Sequence, residues 1–261
     1  MFTNNIDPIV LEFGHFHVNY YTILMLAAFI VAYLISLKIA KERKIDRAII
    51  TDFLVYAVIS VIIGARLFHV FAYSWPYFSQ KPIEILYVWN GGLSSHGAII
   101  GVAIALIIFT RVRKIPFYEL ADIVAIATAL GAMFIRIGNF TNSELIGRVT
   151  DLPWGVKFLR RDPEAFRHPV QLYEALKNLI LFVILFKLRR KALPKGVIFW
   201  AAIGGFCLLR FFVEFYKEYL IFKGGLTAGQ IYSIPFIILS VIMIIYLFRK
   251  DDSNKLRSSS T

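Results

Sequence analysis

The sequence predicts an all-α polytopic membrane protein with seven transmembrane helices, an external N-terminus and a cytoplasmic C-terminus. Three observations lead to this fold class. Apolar residues make up 58% of the 261 residues, which is more than an ordinary soluble domain contains. Seven stretches approach the roughly 20 mostly apolar residues that a spanning helix needs. The basic residues are concentrated in alternate connecting segments.

The seven apolar stretches are bounded by charged residues or by segments rich in glycine and proline. We therefore interpret residues 1–248 as one membrane domain with a few extramembrane segments. The predicted spans are residues 18–37, 48–72, 93–110, 117–138, 169–186, 196–217 and 228–248.

More than half of the 29 lysines and arginines lie in the four segments that follow the first, third, fifth and seventh predicted spans. Cytoplasmic loops are enriched in lysine and arginine, so we expect these segments to face the cytoplasm. This assignment requires an odd number of spans and an external N-terminus. It also explains the net charge of +12 without nucleic-acid binding, which the distribution argues against. The residues are Lys38, Lys41, Arg43, Lys44, Arg47, Arg111, Arg113, Lys114, Lys187, Arg189, Arg190, Lys191, Lys195, Arg249, Lys250, Lys255 and Arg257.

The segments outside the spans differ in composition. Residues 73–92 are rich in tyrosine and tryptophan around two prolines, a composition suited to the headgroup level of a bilayer. We call this segment the arm. Residues 139–168 form the longest polar stretch, and we expect them to fold into a small external head. The basic cytoplasmic tail, residues 249–261, has a composition typical of disorder.

Several ionisable residues fall within the predicted spans, and seven of them stand out, most of these near the external ends. Such residues are expensive in a bilayer and indicate a functional site unless they lie close to a helix end. Together they favour a polar cavity, although a self-satisfied network that only orients the helices stays open, as does a structural ion pair for Arg66 alone. They are Arg66, His96, Asp122, Arg136, Glu174, Arg210 and Glu214.

The spacing of these residues strengthens the prediction of a shared cavity. Arg136 and Asn139 are three residues apart, and Arg210 and Glu214 are four apart, so each pair projects from one helix face. A third polar stripe follows a His-Pro pair that suits a helix start; it comprises Gln171, Glu174 and Asn178. In lipid such a stripe must face protein or water.

His96 is flanked by glycines, and Gly97 and Gly101 have the spacing of close helix packing. A lone histidine at a span end is also commonly a hydrogen-bonded interfacial residue. The five histidines lack the spacing of zinc ligands, and the chain has one cysteine. We therefore expect no metal site.

Arginines within the outer part of a membrane match an anion that itself resides there, and phospholipid phosphate is the obvious candidate. Guanidinium binds phosphate bidentately and is permanently charged, while histidine accepts a proton near physiological pH. A lipid-modifying transferase is one hypothesis. A transporter or flippase for an anionic lipid or metabolite is the alternative, and a structural membrane subunit is a third.

Five sequence blocks carry a resemblance that covers nearly the whole chain. The longest is RIGNFTNSELIGR at residues 136–148, which resembles the signature of bacterial prolipoprotein diacylglyceryl transferases. The other blocks are similar to the same family: NGGLSSHG at 90–97, RHPVQLYE at 167–174, LRFFVEF at 209–215 and GQIYSIP at 229–235.

The resemblance implies transfer of a diacylglyceryl group from phosphatidylglycerol to the lipobox cysteine in the signal peptide of a prolipoprotein, forming a thioether and releasing glycerol phosphate. It implies a multi-pass protein of the bacterial cytoplasmic (inner) membrane, with the active site towards the external face and no cofactor. The implied catalytic residues are His96 as the base, with Arg136 and Arg210 holding the phosphate. The implied phosphatidylglycerol-binding residues are Arg136, Asn139, Asn142, Glu144, Gly147, Glu214, Arg66 and Tyr21.

The chain departs from the family pattern at three places. Ile135 precedes the signature arginine and Ala98 follows Gly97, where the family often has glycine in both cases. The early Tyr-Gly of the family is Tyr21-Thr22 here, which leaves the role of Tyr21 open. None of these changes removes a charged group.

Overall fold

The structure is a computed structural model that describes residues 1–14, 16–218 and 224–259. In these ranges the chain is mostly helical. The helices are α1 (Tyr20–Glu42), α2 (Arg47–Phe68), α3 (Trp75–Phe78), α4 (Ser95–Val112), α5 (Phe117–Thr141), α6 (Val170–Leu188), α7 (Val197–Val213) and α8 (Ala228–Ser259). A π-helical turn, His69–Tyr73, extends α2, and a 3-10 turn, Glu214–Tyr216, extends α7.

Each predicted span coincides with one long helix, and α3 lies within the arm. Within the part of the chain that the structure describes, six helices are long and apolar enough to cross a membrane: α1, α2, α4, α5, α7 and α8. The prediction of a polytopic membrane protein is therefore confirmed in its main feature.

The helix at the predicted fifth span, α6, is not among these six; three of its 19 residues are charged. Before its last turn, its polar side chains lie on the buried face, where Gln171, Glu174 and Asn178 are each at most 2% exposed. Its exposed face is apolar and includes Leu176 and Ile184. A soluble helix has the opposite arrangement, so α6 has the surface of a helix that packs its polar residues inside an apolar environment.

The expectation of an all-α protein was incomplete, because the described ranges include five short strands. They are β1 (Phe2–Asn4), β2 (Ile9–Phe13), β3 (Phe16–Asn19), β4 (Val156–Phe158) and β5 (Asp162–Arg167). β1 pairs in parallel with β4, β4 pairs antiparallel with β5, and β2 and β3 form a separate hairpin. The buried Asn4 side chain donates a hydrogen bond of 2.9 Å to the carbonyl of Phe140. The N-terminal segment is thus fastened both to the predicted head and to the end of α5.

The final helix is longer than its predicted span. α8 continues to Ser259, which differs from the disordered tail expected for residues 249–261; residues 260 and 261 lie outside the described part of the chain. Extending an existing helix requires no new nucleation, and this lets a polar segment remain helical beyond an apolar one.

The chain divides into two compact units. Unit 1 contains Met1–Ile35 and Asp122–Thr261, and unit 2 contains Ser36–Ala121. In unit 1 the carboxylate of Asp122 accepts hydrogen bonds from the backbone N–H groups of Gly196 (3.1 Å) and Phe199 (2.8 Å). These donors lie at the start of α7, where backbone N–H groups lack intrahelical partners. One intramembrane acid of the predicted cavity therefore caps a neighbouring helix.

Unit 2 is built on the contact between α2 and α4, whose backbones approach through glycines. A Cβ added to Gly64 would overlap the carbonyl oxygen of Gly97 and lie 3.0 Å from Gly101 Cα. A Cβ on Gly101 would in turn overlap the carbonyl oxygen of Ser60. The prediction that Gly97 and Gly101 serve close helix packing is confirmed.

We expect Gly64→Ala to lower the thermal unfolding temperature in detergent, because overpacking a close contact costs about 1–3 kcal/mol. Gly131→Ala in α5 is the matched control, since its Cβ would lie 3.6 Å from the Ala28 carbonyl oxygen, an ordinary contact. That control should keep or slightly raise the unfolding temperature, because alanine favours a helix interior by about 1 kcal/mol over glycine. Indistinguishable unfolding temperatures for the two variants would contradict tight packing of α2 on α4.

Candidate active site

Unit 1 contains a buried network of charges at the adjoining ends of α5, α6 and α7. Its two carboxylates are Glu174 and Glu214, whose side chains are 3% and 1% exposed. The Lys217 ammonium lies 2.7 Å from Glu174 Oε1 and 3.1 Å from Glu214 Oε2. One lysine therefore bridges both buried acids.

A second lysine completes the surroundings of Glu174. Lys177 Nζ lies 3.0 Å from Glu174 Oε2 and 3.8 Å from the centroid of the Phe206 ring. The Lys177 side chain is 4% exposed. An ion pair and a cation–π contact together compensate for the removal of this ammonium from water.

The two arginines of the network contact the same carboxylates more loosely. Arg136 Nε lies 3.8 Å from Glu174 Oε2, and Arg210 Nε lies 3.7 Å from Glu214 Oε2. Both distances exceed that of a hydrogen bond. The arginine side chains are also more open than the lysines, at 24% and 29% exposure.

Among the residues that the structure describes, the salt-bridge network joins four cations to two carboxylates and so carries excess positive charge. The cations are Arg136, Lys177, Arg210 and Lys217, and the carboxylates are those of Glu174 and Glu214. A site with surplus cations and partly exposed guanidinium groups is suited to an anion with several oxygen acceptors, such as a phosphate.

The signature stretch after Arg136 folds back onto that residue. Arg136 Nη1 donates to Asn139 Oδ1 (3.2 Å), and Asn139 Nδ2 donates to Glu144 Oε2 (2.9 Å). Asn142 Nδ2 donates to the other oxygen of Glu144 (3.2 Å). Gln171 of α6 donates to the Glu144 carbonyl. Four predicted site residues, Arg136, Asn139, Asn142 and Glu144, are thus one hydrogen-bonded group.

Gly147 belongs to the site through its backbone. Its N–H donates to the carbonyl of His168 (3.1 Å), and the next N–H, of Arg148, donates to the carbonyl of Tyr216 (2.9 Å). A Cβ on Gly147 would lie 2.7 Å from the His168 oxygen and 2.6 Å from the Tyr216 oxygen. Because Gly147 has no side chain, its segment fits between the segments that contain His168 and Tyr216. Arg148 Nε donates to the Lys217 carbonyl (2.8 Å).

Glu214 lies against the first turn of α8. A Cβ on Gly229 would overlap its carboxylate, with Oε2 only 2.9 Å away. The turn itself is fixed by a capping box, in which the Thr227 N–H donates to Gln230 Oε1 (2.9 Å) and the Gln230 N–H donates to Thr227 Oγ1 (3.3 Å). The N-terminal end of a helix favours negative charge, so this arrangement adds to the stabilisation of Glu214 by Lys217.

Tyr21 packs on the same part of α5. A Cβ on Gly138 would lie 2.8 Å from Tyr21 Cδ2, so the ring occupies the space that this glycine leaves open. Gly138 lies between Arg136 and Asn139 in the chain. The structure therefore places Tyr21 beside the network, although its predicted role in lipid binding stays a prediction.

The head is joined to the network by Arg167 at the end of β5. Arg167 Nη1 donates to the Gly147 carbonyl (3.0 Å) and to Glu218 Oε2 (2.6 Å), and its Nε donates to Asp162. The hydrogen bond from Arg167 holds the pKa of Asp162 below its usual value. Burial lowers the pKa of the neighbouring His168, because removal from water disfavours the charged ring.

Unit 2 holds the other two predicted site residues, and in it Arg66 organises the arm. Its guanidinium donates to the carbonyls of Glu84 (2.5 Å), Ile85 (2.9 Å) and Gly91 (2.7 Å) and lies 4.8 Å from the ring centroid of Phe78. The side chain is buried. These contacts favour the structural role left open for Arg66, in a different form: it binds backbone oxygens of the arm rather than a carboxylate on another helix.

The arm has its own polar contacts. The Tyr77 hydroxyl donates to Glu84 Oε2 (2.5 Å), and this hydrogen bond lowers the pKa of the Glu84 carboxyl. Gly91 and Gly92 adopt positive φ angles of 83° and 69°, where glycine is favoured. A Cβ on Gly92 would lie 2.9 Å from Arg66 Nη1, so this glycine gives the guanidinium room.

His96 lies in the first turn of α4 and is exposed. Its Nδ1 lies 3.3 Å from the hydroxyl oxygen of Tyr73. If Nδ1 carries the proton and donates to that oxygen, Nε2 is left as a proton acceptor. The ring thus has a partner that orients it and a second nitrogen available for chemistry.

Lys177 and Lys217 are network members that were missing from the predicted site. Both lie three residues after a predicted glutamate, at positions 174 and 214, and i,i+3 is a spacing at which helical side chains meet. That spacing was the available signal.

Comparisons with known proteins add independent findings. A family profile described as "Prolipoprotein diacylglyceryl transferase" matches residues 8–246. Three similar proteins each carry the name phosphatidylglycerol–prolipoprotein diacylglyceryl transferase. The protein from Geobacter sulfurreducens is 38% identical over 94% of this chain and 97% of its own length. The one from Rhizobium leguminosarum bv. trifolii is 37% identical over 91% and 90%, and the one from Tolumonas auensis is 38% identical over 92% and 95%.

Proposed function

Because the chain belongs to the prolipoprotein diacylglyceryl transferase family, we propose that it transfers the diacylglyceryl group of phosphatidylglycerol to the lipobox cysteine of prolipoproteins. Its substrates are then phosphatidylglycerol, taken from the lipid bilayer, and the signal peptide that contains that cysteine. Among the observations in the structure, the charge network supports this function best, because partly exposed guanidinium groups with surplus positive charge suit a lipid phosphate.

The reaction is a displacement at carbon. The cysteine sulfur forms a bond to the terminal glycerol carbon of the diacylglyceryl group, and the bond from that carbon to the phosphate oxygen breaks. The oxygen leaves with the bonding electron pair as part of glycerol phosphate, and the thiol proton passes to a base. A free thiol has a pKa of about 8.5, so a base that removes its proton favours the reactive thiolate.

Arg136 and Arg210 bind the phosphate in this proposal and stabilise the negative charge that develops on the leaving oxygen. Asn139, Asn142 and Glu144 keep Arg136 in place through the hydrogen bonds described above, and Glu214 orients Arg210. Gly147 allows the backbone segments around these residues to approach closely, and the Tyr21 ring packs against α5 beside them.

His96 acts as the base that accepts the thiol proton. Its contact with Tyr73 supports this role, because one tautomer leaves Nε2 available as the acceptor. Arg66 acts on the lipid only indirectly, through the shape of the arm.

We propose seven spans with an external N-terminus, placing the site at the external face of the bacterial cytoplasmic membrane. α6 buries polar side chains and exposes apolar ones, and this arrangement supports its inclusion as a span. The proposed orientation places the C-terminal ends of α5 and α7 and the N-terminal ends of α6 and α8 outside, and these are the ends that carry the charge network. The basic segments lie at the opposite ends of these helices.

Arg210→Lys should lower the transfer rate of the purified protein at least tenfold, because lysine lacks the bidentate fork that matches phosphate. The assay incubates the protein with phosphatidylglycerol and a lipobox peptide and measures by mass spectrometry the diacylglyceryl-modified peptide and the released glycerol phosphate. Wild-type protein should form both products. An anionic-lipid transporter, the alternative function, would form neither.

The double variant Arg210→Gln/Glu214→Gln separates a phosphate ligand from half of a structural ion pair. We expect it to remain inactive even when it is folded, while Arg161→Gln in the exposed head stays active. A folded double variant with near wild-type transfer would refute the role of Arg210 in catalysis.

His96→Ala should reduce transfer by about 10²–10⁴-fold, the usual contribution of general base catalysis, while binding of phosphatidylglycerol stays near the wild-type level. Tyr73→Phe should have a smaller effect in the same direction, because it removes only the orienting hydroxyl. The measurements are the transfer assay and lipid binding to the purified variants. An equal loss of lipid binding would instead identify His96 as a headgroup ligand, and full activity would exclude it from the mechanism.

The proposed orientation predicts which positions a membrane-impermeant thiol reagent reaches from outside. In a background in which the single cysteine is removed by Cys207→Ala, a cysteine at position 157 should be labelled in intact cells. Cysteines at positions 112 and 190 should be labelled only after the membrane is permeabilised. The reverse pattern would overturn the topology.

A further inference from the structure

We propose that Lys177 and Lys217 are positioning residues that neutralise the two buried glutamates and thereby keep Arg136 and Arg210 available for the lipid phosphate. This inference rests on the proposed function and assigns different roles to the two kinds of cation in its site. The lysines pair with the protein's own carboxylates, and the arginines bind the phosphate of the substrate.

The contacts around Glu174 carry the first step. Its Oε1 is taken by Lys217 Nζ at 2.7 Å and its Oε2 by Lys177 Nζ at 3.0 Å. Arg136 Nε is a third cation near Oε2, at 3.8 Å. Each oxygen of Glu174 therefore has an ammonium closer than the guanidinium, and the lysines limit the hold of Glu174 on Arg136.

Glu214 repeats this arrangement with the other arginine. Lys217 Nζ lies 3.1 Å from Glu214 Oε2, whereas Arg210 Nε lies 3.7 Å from the same oxygen. Arg210 is one helical turn before Glu214 and could form the close i,i+4 pair common on helices. The lysine holds that oxygen at the shorter distance instead.

The burial of the four cations follows the same division. The Lys177 and Lys217 side chains are 4% and 10% exposed, while those of Arg136 and Arg210 are 24% and 29% exposed. An ammonium is a compact charge that suits single carboxylate oxygens, whereas a guanidinium presents a planar fork that matches phosphate. The arginines, whose guanidinium groups suit phosphate, are thus the more exposed cations of the network.

Loss of a lysine has a consequence that differs from simple loss of packing. A buried carboxylate without its closest cation is costly, so it draws in the next one, which for Glu174 is Arg136. The guanidinium then binds the protein instead of the phosphate. Lipid binding should weaken, while the chemical step on lipid that is bound should change little.

The experiment measures kcat and KM for phosphatidylglycerol in mixed micelles for wild type and Lys177→Met, with a saturating lipobox peptide. We expect KM to rise roughly tenfold, which corresponds to the loss of one hydrogen bond to a charged group, and kcat to stay within a factor of about three. Lys187→Met, in the last turn of the same helix, is the matched control and should leave both constants unchanged.

A second variant tests the cause. Lys177→Met/Glu174→Gln removes the negative charge that would draw in Arg136, while the amide oxygen of glutamine still accepts from Lys217. We expect this double variant to recover most of the lost lipid affinity. Lys217→Arg, which retains a cation between the two glutamates, should lower lipid affinity less than Lys217→Met does.

Three results would overturn the proposal: an unchanged KM in folded Lys177→Met, a fall in kcat alone, or a double variant as impaired as the single one. The last would indicate a purely structural lysine. If Lys177→Met does not fold, the comparison of Lys217→Arg with Lys217→Met decides alone, and equal KM values for those two would refute the inference. Wild-type protein that lacked transfer activity would refute the proposed function itself, which distinguishes the two failures.

Discussion

The burial of two carboxylates within an apolar exterior is the constraint on which the rest of unit 1 depends. Charged groups within a membrane cost at least about 2.5–3.5 kcal/mol each on insertion scales, so cations must accompany them. Glu174 is reached by Arg136 from α5, by Lys177 from its own helix and by Lys217 from the end of α7. Its ion pairs therefore join three helices and limit how far their ends can separate.

Backbone geometry serves the same constraint. Gly147 allows the segment after α5 to lie against the carbonyl of Tyr216, which precedes Lys217 in the chain. Gly229 leaves room for the carboxylate of Glu214 at the start of α8. Neither glycine contacts a substrate in the proposed mechanism, yet a side chain at either position would displace a charged partner. Small residues at such points thus contribute to chemistry through the distances that they permit.

The helices of this protein could be predicted from the sequence far better than its strands or its lysines. Apolar length and alternating basic segments are local signals, and they placed α4 within two residues of its observed ends. β1 pairs with β4 across most of the chain, and strands of three residues are too short for alternation to be visible. Lys217 is the last residue of a predicted span, where a lysine is expected to extend to the surface. It is buried because Glu174 and Glu214 both require it.

The contacts of Arg66 have a consequence for sequence divergence. A guanidinium that binds main-chain carbonyls recognises the path of the backbone, and every residue type offers the same oxygen. Positions 84 and 85 can therefore exchange their side chains without losing this anchor, provided that the glycines at 91 and 92 keep the course of the chain and leave space for the guanidinium. The arginine itself has no equivalent, since no other side chain presents five donors in a planar array. During evolution the arm can therefore change its sequence, while Arg66, which lies outside the arm, holds its backbone in place.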